Sequence, residues 1–144
     1  MSWNVLIVDD HEVARRGVSC LLNKPPFQVA GSVSTTADAL KCLDKNSVDL
    51  VLLDIRLSDG SGLKLLEQIR SSYPEVPVVV FSAYENPTYI ARAAALGATD
   101  YLLKNIPSKT LLGTLQHIAM GNAADDQSLL CRIQKTMQET VDVR

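Results

Sequence analysis

The 144-residue chain has no excess of charge of either sign, no long apolar run and few cysteines. Its formal net charge of -2 gives no support for direct binding of nucleic acid by this segment. No apolar stretch approaches the roughly 18 residues needed to span a bilayer. The start of the chain also lacks the basic region of a signal peptide. We therefore expect a cytoplasmic protein that does not enter a membrane.

The three cysteines, Cys20, Cys42 and Cys131, lie far apart, each in a helix-like segment. An odd and unclustered set fits buried thiols in a reducing compartment better than disulfides or a zinc site. Hydrophobic residues make up 47% of the chain and charged residues 21%, which is an ordinary globular balance. The length is that of one domain whose core needs no covalent staples.

Strand-like and helix-like segments alternate five times along the chain. The apolar run at residues 50–53 is short and continuous, as expected of a strand buried on both faces. The less apolar segment at 27–33 is expected nearer a sheet edge. This alternation predicts an α/β fold, a doubly wound parallel sheet with helices on both faces. We expect the common five-strand arrangement, the flavodoxin-like (βα)5 sheet with strand order 2-1-3-4-5. The predicted strands are residues 3–8, 27–33, 50–53, 77–81 and 100–103, and the last three helices of the alternation are 62–72, 87–96 and 107–121.

Four of the five predicted strands end in a side chain that can take part in chemistry. Asp9 and Asp10 follow the first strand, Asp54 the third, Ser82 the fourth and Lys104 the fifth. Taken alone, Asp54 is more often a turn former or helix cap. In an open parallel sheet, however, the carboxyl ends of the strands meet at one edge, and ligands bind where the strand order reverses. The five side chains are therefore expected to lie together.

Such a set of side chains suits phosphoryl transfer. Carboxylates held in one cleft repel each other and need a cation to compensate their charge. Hard oxygen ligands favour Mg²⁺, which keeps water molecules that a phosphate can replace. Lys104 adds a second positive charge and Ser82 a hydroxyl donor. Attack by Asp54 on phosphorus would give an acyl phosphate.

The same residues carry a resemblance that covers residues 3–121. With Tyr101 three residues before Lys104, the set resembles the receiver domain of two-component response regulators. The chain looks most like the LuxR-type (NarL/FixJ) subgroup of transcriptional regulators, on the phrases LIVDDHEVARRGVSCLL, VDLVLLDIRLSDGSGLKLL and GATDYLLK.

This resemblance implies a role for each matching position. Asp54 would accept a phosphoryl group from a sensor histidine kinase or a phosphotransfer protein. Asp9, Asp10 and Asp54 would hold Mg²⁺ together with the backbone carbonyl of Arg56. The chain would then be a phospho-acceptor and not an enzyme, apart from self-catalysed phosphorylation and dephosphorylation.

The resemblance further implies a switch that responds to the phosphoryl group. Lys104 would hold that group, and Ser82 and Tyr101 would be the switch pair. In this mechanism the Ser82 hydroxyl is drawn inward and the Tyr101 ring rotates into the vacated space. The altered face would control a protein interaction, such as homodimer formation on phosphorylation. Without the resemblance, Tyr101 would be an ordinary half-buried strand aromatic.

The sequence departs from the common receiver pattern at several positions. Asn105 stands where many receivers have proline after the lysine, which leaves the conformation of that peptide bond open. Ser58 stands where the loop after the acceptor often contains proline. Arg56 and Tyr84 stand two residues after Asp54 and Ser82. Both are bulky, and we expect them to restrict the approach of water to the phosphoryl group.

Other interpretations of the polar residues are weaker. A phosphatase with an aspartyl nucleophile needs a second Asp two residues on, whereas Asp9 and Asp10 are adjacent. A nucleotide-binding domain needs a glycine-rich turn after the first strand. His11 is expected to border the site, His117 to face solvent and Asp59 to form a turn. The serious alternative is a receiver-like interaction module or stand-alone adaptor that works without phosphorylation.

The domain division places the receiver at residues 1–121 and a linker or amphipathic helix at 122–144. Apolar residues fall at roughly helical spacing in this tail, namely Leu129, Leu130, Ile133, Met137 and Val141. LuxR-type regulators carry a helix-turn-helix domain after a linker, and this tail is too short to hold one. Binding to DNA is therefore expected of a parent protein and not of these residues.

Overall fold

The computed structural model describes residues 2–125 and 128–142. Its centre is one parallel sheet of five strands in the order 2-1-3-4-5, as the sequence predicted. Strand β2 lies at one edge, in agreement with its lower apolar content. The strands are β1 (Trp3–Val8), β2 (Phe27–Val33), β3 (Leu50–Leu53), β4 (Val78–Ser82) and β5 (Asp100–Leu103).

Each of the first four strands is followed by a helix that returns the chain to the start of the next strand, and a fifth helix follows β5. Several helices begin at a side-chain cap: Thr35 Oγ1 accepts a hydrogen bond from the Asp38 amide, Ser61 Oγ from Leu63, and Asn86 Oδ1 from Thr88. The helices are α1 (Glu12–Leu22), α2 (Thr36–Lys45), α3 (Gly62–Ser72), α4 (Pro87–Ala95), α5 (Ser108–Ala119) and α6 (Leu129–Asp142).

The sheet separates two apolar layers because neighbouring strand residues point to opposite faces. On one face Leu6, Val51 and Val80 pack with α2, α3 and α4. On the other face Ile7 and Leu52 pack with α1 and α5. Covering both faces leaves the ends of the strands as the place where polar groups can gather.

Helix α6 realises one of the two structures expected of the tail. Leu130 is buried and Leu129 and Ile133 are partly buried, but Met137 is exposed, contrary to its place in the predicted stripe. The Val141 side chain and residues 126, 127, 143 and 144 lie outside the described part of the chain. The described helices include none that is long and apolar enough to cross a membrane.

The expectation of buried thiols is wrong for Cys20. This side chain is exposed on α1, whereas Cys42 and Cys131 are half-buried. A cysteine in a helix-like segment is buried only if it faces the sheet. Only a narrow stripe of α1 does so, and Cys20 lies outside that stripe.

Candidate functional site

Backbone hydrogen bonds bring the strand ends into register. Val8 pairs with Leu53, and the Asp54 amide donates to the Val8 carbonyl at 2.9 Å. At the other side of the sheet, the Lys104 amide donates to the Ser82 carbonyl at 2.8 Å. The side chains that follow these strands are therefore held by the rigid sheet and not by a free loop.

An acidic cluster lies at this edge, between the ends of β1 and β3. One ligand atom from each of Asp9, Asp10, His11 and Asp54 lies within 4.8 Å of the others. Asp9 and Asp54 are each 4% exposed, whereas Asp10 is half-buried. The structure thus brings together the three carboxylates that the sequence analysis placed at this switch point of the sheet.

Lys104 joins two of these carboxylates. Its Nζ donates to Asp9 Oδ2 at 2.7 Å and to Asp54 Oδ2 at 2.9 Å. The lysine side chain is 17% exposed, so these ion pairs are shielded from solvent more than surface pairs are. The predicted lysine therefore sits directly on the predicted acceptor.

The electrostatic environment acts on the two partners in opposite ways. Burial raises the pKa of Asp54, and the hydrogen bond and charge of Lys104 oppose that rise without cancelling it. Burial lowers the pKa of Lys104, but hydrogen bonds to Asp9 and Asp54 outweigh burial and leave it raised. The pKa values of both partners are therefore raised, by burial for Asp54 and by the two carboxylates for Lys104.

His11 borders the cluster, as expected. Its Nδ1 lies 3.2 Å from Asp10 Oδ1, 3.4 Å from Asp9 Oδ1 and 3.7 Å from Asp54 Oδ2. The ring is 71% exposed, and the His11 amide donates to Asp9 Oδ1. This residue lies closer to Asp54 than its adjacency to Asp10 in the sequence alone would indicate.

The carboxylates fit a hard divalent cation. Asp10 Oδ1 is buried and makes no hydrogen bond within the described residues, although His11 Nδ1 lies 3.2 Å away. A buried carboxylate oxygen without a hydrogen bond is costly unless a cation meets it. Oxygen donors of this kind are those that Mg²⁺ prefers.

Two hydrogen bonds lead away from the site through the loop after β4. The Tyr84 amide donates to Ser82 Oγ at 3.0 Å, and Tyr101 Oη donates to the Tyr84 carbonyl at 2.6 Å. Ser82 and Tyr101 are both fully buried, and burial raises the pKa of the Tyr101 hydroxyl. The Tyr101 ring already lies inside, and the loop links it to Ser82.

Residues 5–116 match the family described as the response regulator receiver domain. The chain belongs to this family. Its arrangement of carboxylates, lysine and hydroxyl at the strand ends is therefore that of a receiver domain. The LuxR-type subgroup indicated by the sequence is also confirmed by the relatives.

The receiver domain is similar to several curated proteins and solved structures. It is 31% identical over 123 residues to the DNA-binding transcriptional activator DevR/DosR of Mycobacterium tuberculosis, covering 85% of this chain and 57% of that protein. It is 30% identical over 136 residues to the transcriptional regulatory protein YdfI of Bacillus subtilis, covering 94% and 63%. The signal receiver domain of the response regulator NarL from M. tuberculosis superposes with a TM-score of 0.78 at 28% identity, covering 84% and 98%. The chain thus spans about three-fifths of the length of these two curated relatives.

A cluster of aromatic and cationic side chains lies beside the loop that follows Asp54. The Arg56 guanidinium stacks on the Tyr84 ring, 4.4 Å from its centroid, and Arg56 Nη2 donates to the Tyr89 hydroxyl at 3.3 Å. This arrangement joins the two bulky residues that the sequence analysis singled out. Tyr89, on α4, completes the cluster, and no sequence pattern indicated that it would.

The loop after Asp54 contains a short antiparallel hairpin, Arg56–Leu57 with Gly60–Ser61, that the sequence did not predict. Asp59 lies in its turn, as expected, and its carboxylate also accepts hydrogen bonds from the Thr36 amide and hydroxyl, at 2.8 Å each. These bonds lower the pKa of Asp59. Asp59 therefore ties the hairpin to the start of α2 and is not part of the acidic cluster.

Three sequence predictions remain, on a peptide bond, a histidine and a metal ligand. Among the described residues the one cis peptide bond joins Pro25 to Pro26, so the bond between Lys104 and Asn105 is trans. His117 is exposed on α5, as expected. The Arg56 carbonyl stays a predicted metal ligand.

Proposed function

We propose that this receiver domain accepts a phosphoryl group on the Asp54 carboxylate and changes a protein interaction as a result. The observation that carries the proposal is the position of Lys104, whose Nζ lies 2.9 Å from Asp54 Oδ2 inside a buried acidic cluster. A lysine in this position can follow the charge from the carboxylate to an incoming phosphoryl oxygen. A carboxylate nucleophile with a cation beside it suits attack on an anionic phosphoryl group.

In the transfer step, a carboxylate oxygen of Asp54 forms a bond to phosphorus. The bond from phosphorus to the donor's imidazole nitrogen breaks, and its electron pair stays on that nitrogen. Charge then develops on the phosphoryl oxygens, and Lys104 Nζ is placed to stabilise it. Hydrolysis of the acyl phosphate by water returns the Asp54 carboxylate and inorganic phosphate. The domain is accordingly an acceptor in this reaction and not an enzyme acting on a separate substrate.

Asp9, Asp10 and Asp54 would hold Mg²⁺, with the Arg56 carbonyl as a further ligand. When bound, the ion supplies the positive charge that lets anionic phosphate approach three carboxylates. The buried Asp10 oxygen that lacks a hydrogen bond supports this assignment. His11 lies at the open side of the same cluster.

Ser82 and Tyr101 would form the switch. The Ser82 hydroxyl can turn toward a phosphoryl oxygen on Asp54, and the loop residue Tyr84 would follow it through the hydrogen bond from its amide. Such a movement would stabilise the buried position of the Tyr101 ring, because the Tyr101 hydroxyl donates a hydrogen bond to the Tyr84 carbonyl.

Arg56 and Tyr84 would act as a gate against water. Their stacked side chains lie beside the acceptor loop, and Tyr89 holds the guanidinium in place. A gate of this kind lengthens the life of the acyl phosphate because hydrolysis needs a water molecule in line with the phosphorus.

The partners follow from this chemistry. A sensor histidine kinase or a phosphotransfer protein would donate the phosphoryl group in the cytoplasm, and a second copy of the chain would bind after phosphorylation. DevR/DosR is named a DNA-binding activator, so a DNA-binding domain elsewhere in the parent protein is the proposed output. A receiver-like module that binds its partner without phosphorylation is the second candidate, because the Tyr101 ring is already buried.

Intact-mass spectrometry tests the proposal. Incubation with acetyl phosphate and Mg²⁺ should add one phosphoryl group to the natural chain and none to the Asp54→Asn variant. Asp38→Asn, which removes an exposed carboxylate of α2, is the matched control and should react like the natural chain. Absence of an adduct on the natural chain would favour the module that works without phosphorylation.

A further inference from the structure

Helix α6 packs against α4 and β5, on the side of the domain that the switch residue Tyr101 occupies. Leu130 is 4% exposed, and Leu129 and Ile133 are partly buried. These side chains extend the apolar cluster that contains the Tyr101 ring. The tail is therefore a bound element of the receiver domain and not only a linker.

The start of α6 is anchored by polar contacts to β5. Ser128 Oγ accepts a hydrogen bond from the Cys131 amide at 3.1 Å, which caps the helix. The Ser128 side chain also hydrogen-bonds the buried carboxylate of Asp100. Asp100 Oδ1 in turn accepts from the Tyr101 amide at 2.8 Å. One buried carboxylate thus joins the first turn of α6 to the backbone of the switch residue.

The opposite end of Tyr101 is connected to the acceptor site. Its hydroxyl bonds the Tyr84 carbonyl, and the Tyr84 amide bonds Ser82 Oγ. Tyr101 consequently has the acceptor site on one side and the anchor of α6 on the other. The hydrogen bonds toward the acceptor site and those toward α6 are both present in the structure, in which the Tyr101 ring is buried.

We propose that docking of α6 on α4 and β5 is energetically coupled to the phosphoryl group on Asp54, with the buried Tyr101 ring as the element they share. This inference rests on the proposed function of Asp54. The docked helix covers the cluster around the ring, and a phosphoryl group that turns Ser82 inward favours the same ring position. Phosphorylation therefore tightens the docking of α6, and by reciprocity the docked helix favours the acyl phosphate.

Hydrogen exchange of the full chain tests the first half of this coupling. With acetyl phosphate and Mg²⁺, the amides of α6 should exchange several-fold more slowly in proportion to the phosphorylated fraction read from intact mass. Asp54→Asn should show no change. If the adduct forms and exchange in α6 is unchanged or faster, the coupling is wrong while the proposed function stands. If no adduct forms, both fall.

Variants of α6 test the reciprocal half. Leu130→Ala should speed exchange in α6 and lower the phosphorylated fraction at a fixed concentration of acetyl phosphate. Met137→Ala, on the same helix but 46% exposed, is the control and should change neither. Ser128→Ala, which removes the cap and the contact with Asp100, replaces Leu130→Ala if that variant does not fold. If the variant speeds exchange in α6 but leaves the phosphorylated fraction unchanged, the proposal is overturned.

Discussion

Gly62 is the residue on which the shape of the loop after Asp54 depends most directly. A Cβ atom at this position would lie 2.0 Å from the Asp54 carbonyl oxygen and 2.8 Å from Ile55 Cα. The Gly62 amide also donates to the Ile55 carbonyl at 2.6 Å. No flexible side chain can move aside here, because the neighbouring atoms belong to the backbone.

We predict that Gly62→Ala destabilises the fold by about 3 kcal/mol and lowers phosphorylation of whatever remains folded. Gly113→Ala is the matched control, since a Cβ there meets nothing within 4 Å. In the interior of α5 the change should stabilise by about 0.5–1 kcal/mol. Urea unfolding of both variants measures the two effects, and equal stabilities would show that the close approach at Gly62 is not a constraint.

Asp100 combines nearly complete burial with a negative charge. Burial raises its pKa to about 6, and the charge of Asp125 adds to the rise, while hydrogen bonds from Tyr101 and Ser128 oppose it. In the unfolded chain the pKa is near 3.8. Between these values the folded state binds more protons, so the contribution of Asp100 to stability is present at low pH and is lost as pH rises through about 6.

Asp100→Asn should therefore alter the dependence of stability on pH. Relative to the natural chain, the free energy of unfolding of the variant should rise by about 2 kcal/mol between about pH 4 and pH 7. Loss of a hydrogen bond in the variant would lower its free energy of unfolding by the same amount at every pH and would not change this dependence on pH. Asp38→Asn serves as the control for the removal of one negative charge. Parallel curves for Asp100→Asn and the natural chain would contradict the assignment.

At the scale of elements, the strand ends were predictable and the loops between them were not. Five alternating segments predicted a parallel sheet because parallel strands need helical crossovers. The common strand order of such a sheet placed Asp9, Asp54 and Lys104 together. The hairpin after Asp54 has two-residue strands, too short to produce an alternating pattern. Helical spacing made α6 one of two structures expected of the tail. It did not indicate where the helix docks, because an apolar stripe does not specify the surface that it meets.

The gate proposed for Arg56 and Tyr84 leads to a kinetic prediction. Replacing both residues by alanine should speed hydrolysis of the acyl phosphate roughly three- to tenfold, a change of about 1 kcal/mol in the barrier. Decay of the phosphorylated mass after removal of acetyl phosphate gives the rate. Lys109→Ala, on the exposed face of α5, is the control. An unchanged rate of hydrolysis in the double variant would contradict a role of these two residues in excluding water.

At the scale of the whole molecule, binding of Mg²⁺ should stabilise the fold. At ten times its Kd the ion should add about 1.4 kcal/mol to the free energy of unfolding, because the unfolded chain does not hold the carboxylates together. Thermal unfolding with and without Mg²⁺ measures the gain. Asp10→Asn should abolish most of it, and Asp38→Asn should keep it. A gain that survives in Asp10→Asn would place the ion elsewhere.

The most direct test of the receiver chemistry is to locate the acyl phosphate on the chain. Borohydride reduces an acyl phosphate of aspartate to homoserine, which peptide mass spectrometry distinguishes from aspartate. After acetyl phosphate and Mg²⁺, homoserine should replace aspartate at position 54, and the Lys104→Ala variant should show much less of it. Homoserine at Asp9, Asp10 or another carboxylate, or at none, would contradict the assignment of Asp54 as the phospho-acceptor.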